Sequence, residues 1–153
     1  MTIPEKVFLD AGILIGAVTS NDPRHQESRL IVEAARSGEI PACTSVGVLA
    51  ELYAALTWVG ALPPQSPETA SKVVKSIVAF PSKLKVLETD YEAGILMLDM
   101  AGRYKLTARR VHDARHAATA LVAGVRRVYT YDVDDWRVFS PDGIIVTGPD
   151  SIL

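Results

Sequence analysis

Short apolar runs alternate with longer amphipathic segments along this chain, and that alternation limits the possible folds more than any other feature. The runs that predict strands lie at residues 7–9, 40–43, 85–87, 128–130 and 144–146. The segments with helical periodicity and capping residues lie at 23–36, 45–59, 68–80, 91–104 and 111–123. Strands that alternate with helices predict an α/β fold, in which helices cover both faces of a parallel sheet of four to five strands.

Local signals refine this outline. Asp22 is predicted to cap the helix at 23–36, and Gly38 to end it. The run P-P-Q-S-P at 63–67 is a clear break between helices. No repeat, low-complexity tract or change of composition marks a domain boundary, so the 153 residues are predicted to form one domain over 1–153.

Composition narrows the class of protein. A hydrophobic fraction of 48% and a charged fraction of 22% are typical of a soluble globular domain. No apolar run reaches the ~20 residues that a membrane-spanning helix needs. The single cysteine, Cys43, is expected to be buried and excludes an intramolecular disulfide, so we expect a reducing, cytoplasmic setting. The net charge of −2 argues against indiscriminate duplex DNA binding. Acids gathered around a cation would leave the remaining surface more basic, so a nucleic-acid substrate stays open.

Acidic residues fall where such a fold places its sites. In open parallel sheets, ligands bind beyond the carboxyl ends of the strands. Asp10 closes the first predicted strand and Asp132 follows the fourth. Glu51 and Asp113 lie on predicted helices, Glu51 among apolar and small residues and Asp113 on a face with alanines. An ionised carboxylate on a core-facing stripe is costly unless it is paired or bound to a metal.

Each of these acids also has a structural interpretation. Asp10 is able to cap the turn that follows it, and Asp113 suits the positive end of a helix dipole. Glu51 is able to reach solvent from the helix edge or to pair with an arginine. At least one of Asp134 and Asp135 is expected to be a solvated turn residue. Taken together, the four acids favour a shared site.

If the four acids meet, the chemistry follows from their oxygen ligands. Clustered carboxylates without cysteine suit a hard cation, Mg²⁺ or Mn²⁺. Such an ion lowers the pKa of a bound water and neutralises charge on a phosphodiester during in-line displacement. The pattern therefore predicts metal-dependent phosphodiester hydrolysis.

Four stretches of the chain match one family in order and spacing. They are F-L-D-A-G-I-L-I, S-V-G-V-L-A-E-L-Y-A-A-L, V-H-D-A-R-H-A-A-T-A-L and V-Y-T-Y-D-V-D-D-W. With them the chain resembles a PIN-domain protein, most closely a VapC-type toxin ribonuclease of a toxin–antitoxin pair. The resemblance covers essentially the whole chain. It implies a PIN-like three-layer α/β/α fold, a homodimer, and inhibition by an antitoxin whose tail covers the groove.

The resemblance also assigns residues. It implies that the acidic site falls on Asp10, Glu51, Asp113 and Asp132. Asp135, just before Trp136, matches an acid-plus-aromatic pair and is expected to hold a metal-bound water or a second ion. Thr130 matches a hydroxyl residue that hydrogen-bonds a carboxylate or water. One departure is Gly12, where the family often carries Asn or Ser near the metal.

Other residues bear on the substrate and the partners. Arg115 is a candidate for binding an RNA phosphate, while His112 and His116 are predicted to lie on the polar face of their helix. The basic residues that could guide an RNA backbone are Arg103, Lys105, Arg109, Arg110, Arg126 and Arg127. Tyr104, Tyr129 and Tyr131 are candidates for base stacking, although core or edge packing is the favoured interpretation for Tyr129. Trp58 and the apolar residues of 68–80 predict either a partner groove or ordinary core packing.

Three functions remain after this reasoning. The first is a Mg²⁺- or Mn²⁺-dependent endoribonuclease, the toxin of a toxin–antitoxin pair. The second is a PIN-fold module that binds RNA or protein with weak or no catalysis, which the glycine at position 12 keeps open. The third is a hydrolase of small phosphoesters.

Overall fold

The computed structural model describes residues 5–148 as an α/β fold around one parallel sheet. The predicted domain spans residues 1–153, and its first four and last five residues lie outside the described residues. The five strands run in the order β3-β2-β1-β4-β5, and every neighbouring pair is parallel. They are β1 Val7–Leu9, β2 Ala42–Ser45, β3 Lys85–Leu87, β4 Arg127–Tyr129 and β5 Ile145–Thr147.

Helices fill every connection between strands. They are α1 Ala11–Val18, α2 His25–Ser37, α3 Val46–Thr57, α4 Pro67–Val78, α5 Tyr91–Arg103, α6 Arg110–Val122 and α7 Val133–Arg137, with a 3₁₀ turn at Ser140–Asp142. Crossovers between parallel strands are right-handed, and the strand order moves one way from β1 to β3 and the other way from β4 to β5. The helices therefore cover both faces, as the sequence predicts.

Strand positions agree with the sequence patterns, with small shifts. The strands β1 and β3 begin and end where predicted. The strand β2 begins two residues late, because the Ile40 N–H donates to the carbonyl of Ala34 and so completes the end of α2. Pairing starts only at Ala42, opposite Val7. The strands β4 and β5 are displaced by one residue each.

Two helices that flank the acidic stretches escape sequence prediction. The helix α1 reads A-G-I-L-I-G-A-V, and because it is apolar nearly all round it lacks an amphipathic period. The helix α7 is only five residues long and carries three charged residues. The helix α1 begins directly after Asp10, and α7 begins directly after Asp132, so the two helices fix the positions of these acids.

The start of α2 corrects one prediction. The helix begins at His25, so Asp22 is not its N-cap; the N-cap residue is Arg24, which makes no side-chain capping bond. Asp22 Oδ1 instead accepts from the Arg24 N–H at 2.8 Å, in the turn before the helix. The prediction for Gly38 is confirmed, since it ends α2 with a left-handed φ of 85°.

The core lies between the sheet and the helices, with β1 at its centre. Phe8 is fully buried, and its ring centroid is 6.2 Å from that of Trp136 and 6.3 Å from that of His116. Cys43 is buried as expected, and burial raises the pKa of its thiol to about 11. Within residues 5–148, no helix combines the length and the apolar character required to span a bilayer.

We expect Phe8→Ala to lower the free energy of unfolding by about 3–5 kcal/mol, because it removes a fully buried ring and leaves a cavity at the centre of the sheet. Urea denaturation measures the change. Phe80→Ala is the matched control, since Phe80 is 97% exposed and its removal should change stability by no more than about 0.5 kcal/mol. Equal effects of the two substitutions would contradict the description of the core.

Candidate active site

Asp10 is the most buried acid of the site, at 6% exposure. It follows β1 and starts α1, where its Oδ1 accepts a hydrogen bond from the Ala11 N–H at 2.8 Å. Its Oδ2 accepts from Thr130 Oγ1 at 2.7 Å and from Trp136 Nε1 at 2.9 Å. No Lys, Arg or His among residues 5–148 forms an ion pair with it. Neutral donors therefore stabilise the charge from three sides.

Thr130 connects two acids of the site. Its hydroxyl donates to Asp10 and accepts from the backbone N–H of Asp132 at 3.0 Å. The carboxylate bond expected of this residue is therefore present. Thr130 is fully buried, so this arrangement holds the segment after β4 against the end of β1.

Trp136 is a site residue that sequence reasoning noted only as a neighbour of Asp135. Its indole is fully buried and donates to Asp10. A buried indole N–H almost always finds an acceptor. The sequence D-D-W therefore suggests that the indole N–H donates a hydrogen bond nearby, although it does not identify the oxygen that accepts this bond.

Glu51 lies on α3 and pairs with a histidine of α6. The His116 Nε2 is 2.7 Å from Glu51 Oε1, and the imidazole is 1% exposed. The prediction that His116 lies on a polar face is therefore wrong: the ring packs on Phe8, and the helix turns this face toward the sheet. Burial acts to raise the pKa of Glu51, but the bond and charge of His116, with smaller contributions from His112 and Arg115, lower it overall.

Asp113 lies in the first turn of α6 and accepts from Arg110 Nε at 3.1 Å. Burial is the main reason that the pKa of Asp113 is raised. The bond from Arg110 opposes this effect, and the negative charges of Asp10 and Asp135 add to it. Asp113 is thus within electrostatic range of acids from two other elements.

Asp132 follows β4 and precedes α7. Its pKa is raised by burial first, then by the charges of Asp10 and Asp135, with a smaller effect of Glu51, while Arg24 opposes the rise. Residues from α3, α6 and the ends of β1 and β4 therefore act on one another electrostatically.

Two adjoining clefts expose three of these acids, whereas Asp10 is buried and lines neither cleft. Glu51 and Asp113 line a cleft of about 560 Å³, and Asp132 lines another of about 510 Å³. Ile15 of α1 borders both clefts, which places them side by side. The structure thus brings the four sequence-predicted acids to the carboxyl edge of the sheet.

The donor set suits a hard cation in its chemistry. It consists of carboxylate oxygens, and Mg²⁺ usually takes one or two carboxylates and completes its shell with water. As the side chains are placed, no group of three or more His, Cys, Asp or Glu within residues 5–148 is close enough to hold one ion jointly. The acids are gathered around a common space without forming a closed ligand cage.

The remaining predicted residues are two acids of α7 and one arginine of α6. Asp134 is 96% exposed and pairs with Arg137, which confirms that one acid of this turn is solvated. Asp135 is half-exposed, and its Oδ1 is 4.0 Å from Arg110 Nη1. Arg115 donates from Nε to Thr89 Oγ1 at 3.2 Å, so its guanidinium is held between helices.

Three of the six basic residues considered as guides for RNA are engaged elsewhere. Arg103 pairs with Asp142, and Arg127 pairs with Glu5. Arg126 donates to the carbonyl of Gly143. Only Arg109 and Arg110 of that group line the larger acidic cleft.

Comparison with known proteins identifies the fold. The PIN domain sequence model matches residues 7–139. No curated protein matches the chain by sequence. Among solved structures, the chain is similar to Mycobacterium tuberculosis VapC20, a sarcin–ricin loop cleaving toxin, with 18% identity, a TM-score of 0.67, and coverage of 91% of this chain and 96% of that one.

Two toxin–antitoxin structures give similar agreement. The DNA-bound VapBC of Salmonella typhimurium is 22% identical, with a TM-score of 0.65 and coverage of 94% of this chain and 98% of that one. VapBC2 of Rickettsia felis, bound to a promoter DNA fragment, is 12% identical, with a TM-score of 0.67 and the same coverage. At these identities the likeness concerns the fold.

Thr130→Val is expected to lower the free energy of unfolding by about 1–3 kcal/mol, because the buried Asp10 carboxylate loses a hydrogen-bond donor. Urea denaturation measures this loss. Thr107→Val, at an exposed position, is the matched control and should change stability by about 0.5 kcal/mol or less. A Thr130 variant as stable as its control would show that the bond contributes nothing.

Asp132→Asn is expected to raise the melting midpoint of the metal-free protein near neutral pH by roughly 1–3 °C. The folded-state pKa of Asp132 is raised, so folded protein binds its proton more tightly than the unfolded chain does. Stability is therefore lost as the pH rises from the ordinary Asp pKa through the raised one, and the uncharged amide avoids that loss.

Thermal melts in EDTA from about pH 3 to about pH 8 test this linkage. The gain should vanish at the acidic end, where the carboxyl is neutral in both states. Asp134→Asn changes the net charge equally at a side chain that is 96% exposed, and should show no such pH-dependent gain. A destabilised Asp132 variant at neutral pH would contradict the prediction.

Proposed function

The chain belongs to the PIN domain family, and on that premise we propose that it is a metal-dependent endoribonuclease, the toxin component of a type II toxin–antitoxin pair. The observation that carries the proposal is the convergence of acids from four places in the chain at the carboxyl edge of the sheet, around the buried Asp10. Acidic side chains that lie close together and repel one another lower the stability of the fold unless a cation offsets the repulsion.

The proposed ligands are Asp10, Glu51, Asp113 and Asp132, with Asp135 at the rim. When bound, Mg²⁺ or Mn²⁺ supplies positive charge for the phosphodiester and a more acidic water. Carboxylates without a nearby thiolate favour either of these ions over zinc. Thr130 and Trp136 hold the Asp10 carboxylate in a fixed orientation, and His116 does the same for Glu51.

Arg110 offsets part of the negative charge of these acids. Its Nε donates to Asp113, and its Nη2 donates to the Asp135 carbonyl at 3.1 Å. Arg110 also lines the larger acidic cleft, which makes it a candidate contact for the RNA backbone. Arg109 lines the same cleft, and Arg115 is a more distant candidate for a phosphate contact.

A partner groove accompanies the active site. Trp58 is 65% exposed and Leu62 is 80% exposed, and both line a groove of about 300 Å³ that shares Ile15 with the acidic clefts. Exposed large apolar groups in a groove favour a protein partner, so this groove is the proposed seat of the cognate antitoxin. The apolar residues Ala70, Val74 and Ile77 of α4 are buried and belong to the core instead.

A homodimer is part of the proposal. On α5, Tyr91, Ile95 and Leu98 are 85%, 44% and 58% exposed. Their spacing places them on one face of the helix. A second copy of the chain would bury this stripe.

A second candidate function is a binding module of the same fold without cleavage. Gly12 favours it, because the residue contributes no polar side chain beside Asp10. The absence of a closed ligand group among residues 5–148 points the same way. Binding of RNA without turnover is its signature.

Incubation with structured RNA in Mg²⁺ or Mn²⁺ should yield cuts that EDTA abolishes. Asp10→Asn and Asp113→Asn should each slow cleavage by roughly 100-fold or more, because each removes a charged ligand. Asp99→Asn, an exposed acid on α5, is the matched control and should cleave as the wild type does.

The RNA panel should include a sarcin–ricin loop hairpin, because the structurally similar VapC20 is a toxin that cleaves this loop. Thermal melting verifies that each variant is folded. RNA binding without metal-dependent cuts would support the binding module. Turnover of small phosphoesters alone would support the third hypothesis.

A further inference from the structure

A stacked arginine lies beside the acidic site and takes no part in it. The Cζ of Arg24 lies 4.1 Å from the centroid of the Tyr131 ring, within the range of a cation–π contact. Tyr131 stands between the buried Thr130 and the proposed ligand Asp132. Arg24, Tyr131 and Asp132 line one cleft of about 510 Å³ together with Gly12.

The aromatic platform is itself fixed. Tyr131 Oη is hydrogen-bonded to Ser28 Oγ at 2.5 Å and donates to Glu27 Oε2 at 3.3 Å, both on α2. On the other side the ring reaches α1, because a Cβ added at Gly12 would lie 3.4 Å from Tyr131 Cδ2. Any longer side chain at position 12 would need room beside the ring. Position 12, where the glycine departs from the family pattern, therefore lies beside the tyrosine that carries Arg24.

The charge of Arg24 is not neutralised by contact. Five other arginines form ion pairs within the described part of the chain, whereas Arg24 forms none there. These five are Arg29, Arg103, Arg110, Arg127 and Arg137. Arg24 is exposed, and it lines the same cleft as the proposed ligand Asp132. An available cation thus stands at the mouth of a cleft that is otherwise acidic.

We propose that Arg24, held flat on Tyr131, binds a phosphate of the RNA strand next to the one that is cleaved. This inference rests on the proposed function for the identity of its ligand. A guanidinium stacked by its face keeps its N–H edge free, and that edge matches two phosphate oxygens. Stacking also restrains the side chain before binding, which reduces the entropy lost on contact.

A base stacked on Tyr131 is the less favoured occupant. Arg24 already lies over one face of the ring, and both residues line the cleft, so a base stacked on that face would have to displace the arginine. A phosphate needs no such displacement. The acids around the cleft also repel the negatively charged RNA backbone, and the positive charge of Arg24 offsets this repulsion locally.

The test measures binding of a fluorescent single-stranded RNA in EDTA, where cleavage does not interfere, as a function of salt. Arg24→Gln should weaken binding about tenfold at low salt. It should also reduce the slope of log K against log[salt] by about 0.7, the value for one phosphate contact to a single strand. Arg24→Lys should keep the slope but bind more weakly than the wild type, because it retains the charge and loses the planar fork.

Arg29→Gln is the matched control, since Arg29 is an exposed arginine on α2 that pairs with Glu33, and its slope should equal that of the wild type. Equal slopes for the Arg24→Gln and Arg29→Gln variants would overturn the inference, even if the wild type cleaves RNA. A slope that depends on Arg24 in a protein that makes no metal-dependent cuts would support the inference and reject the nuclease. A wild type that binds no RNA would overturn it.

Discussion

The buried charge of Asp10 is the constraint on which the rest of the site depends. A carboxylate at 6% exposure without an ion-pair partner in residues 5–148 is tolerable only because donors reach it from the α1 N-terminus, from Thr130 and from Trp136. These donors are brought together by the pairing of β1 with β4, which aligns Leu9 with Tyr129, and by the Asp10 N–H bond to the Tyr129 carbonyl. The site therefore forms only when the central strands are paired.

The other acids around Asp10 differ in how far neighbouring groups stabilise their negative charge. Glu51 has a histidine and a lowered pKa, so its charge is stabilised by the fold. Asp113 and Asp132 have raised pKa values, because burial and neighbouring acids outweigh the arginines near them. Their charges are therefore maintained at some cost to stability. Uncompensated acids of this kind in a cleft are candidates for a functional site, and here they lie on the open side, where the proposed cation and RNA would bind.

The sequence placed Asp10 and Asp132 after strands and Glu51 and Asp113 on helices, because strand ends and alternating elements are local patterns. It missed α1, because an apolar helix without a polar face shows no alternation of polar and apolar residues at the helical period. It also missed α7, because five residues are too few for a helical pattern to be recognised. It placed His116 on a polar face because helical periodicity does not reveal that α3 supplies an acid opposite it. The Trp136 bond to Asp10 spans 126 positions and depends on packing that no local pattern encodes.

The pair α1 and α2 joins the buried charge to the surface of the cleft. At Gly16 the helices approach so closely that an added Cβ would lie 2.4 Å from Ser28 Oγ, and His25 Nδ1 lies 2.9 Å from the Gly16 carbonyl oxygen. Ser28 in turn contacts the Tyr131 hydroxyl. Because Asp10 starts α1 and Arg24 precedes α2, one rigid helix pair sets the distance between the proposed metal site and the stacked guanidinium. Of the two glycines of α1, Gly16 allows the close approach of α2, and Gly12 lies beside the Tyr131 ring.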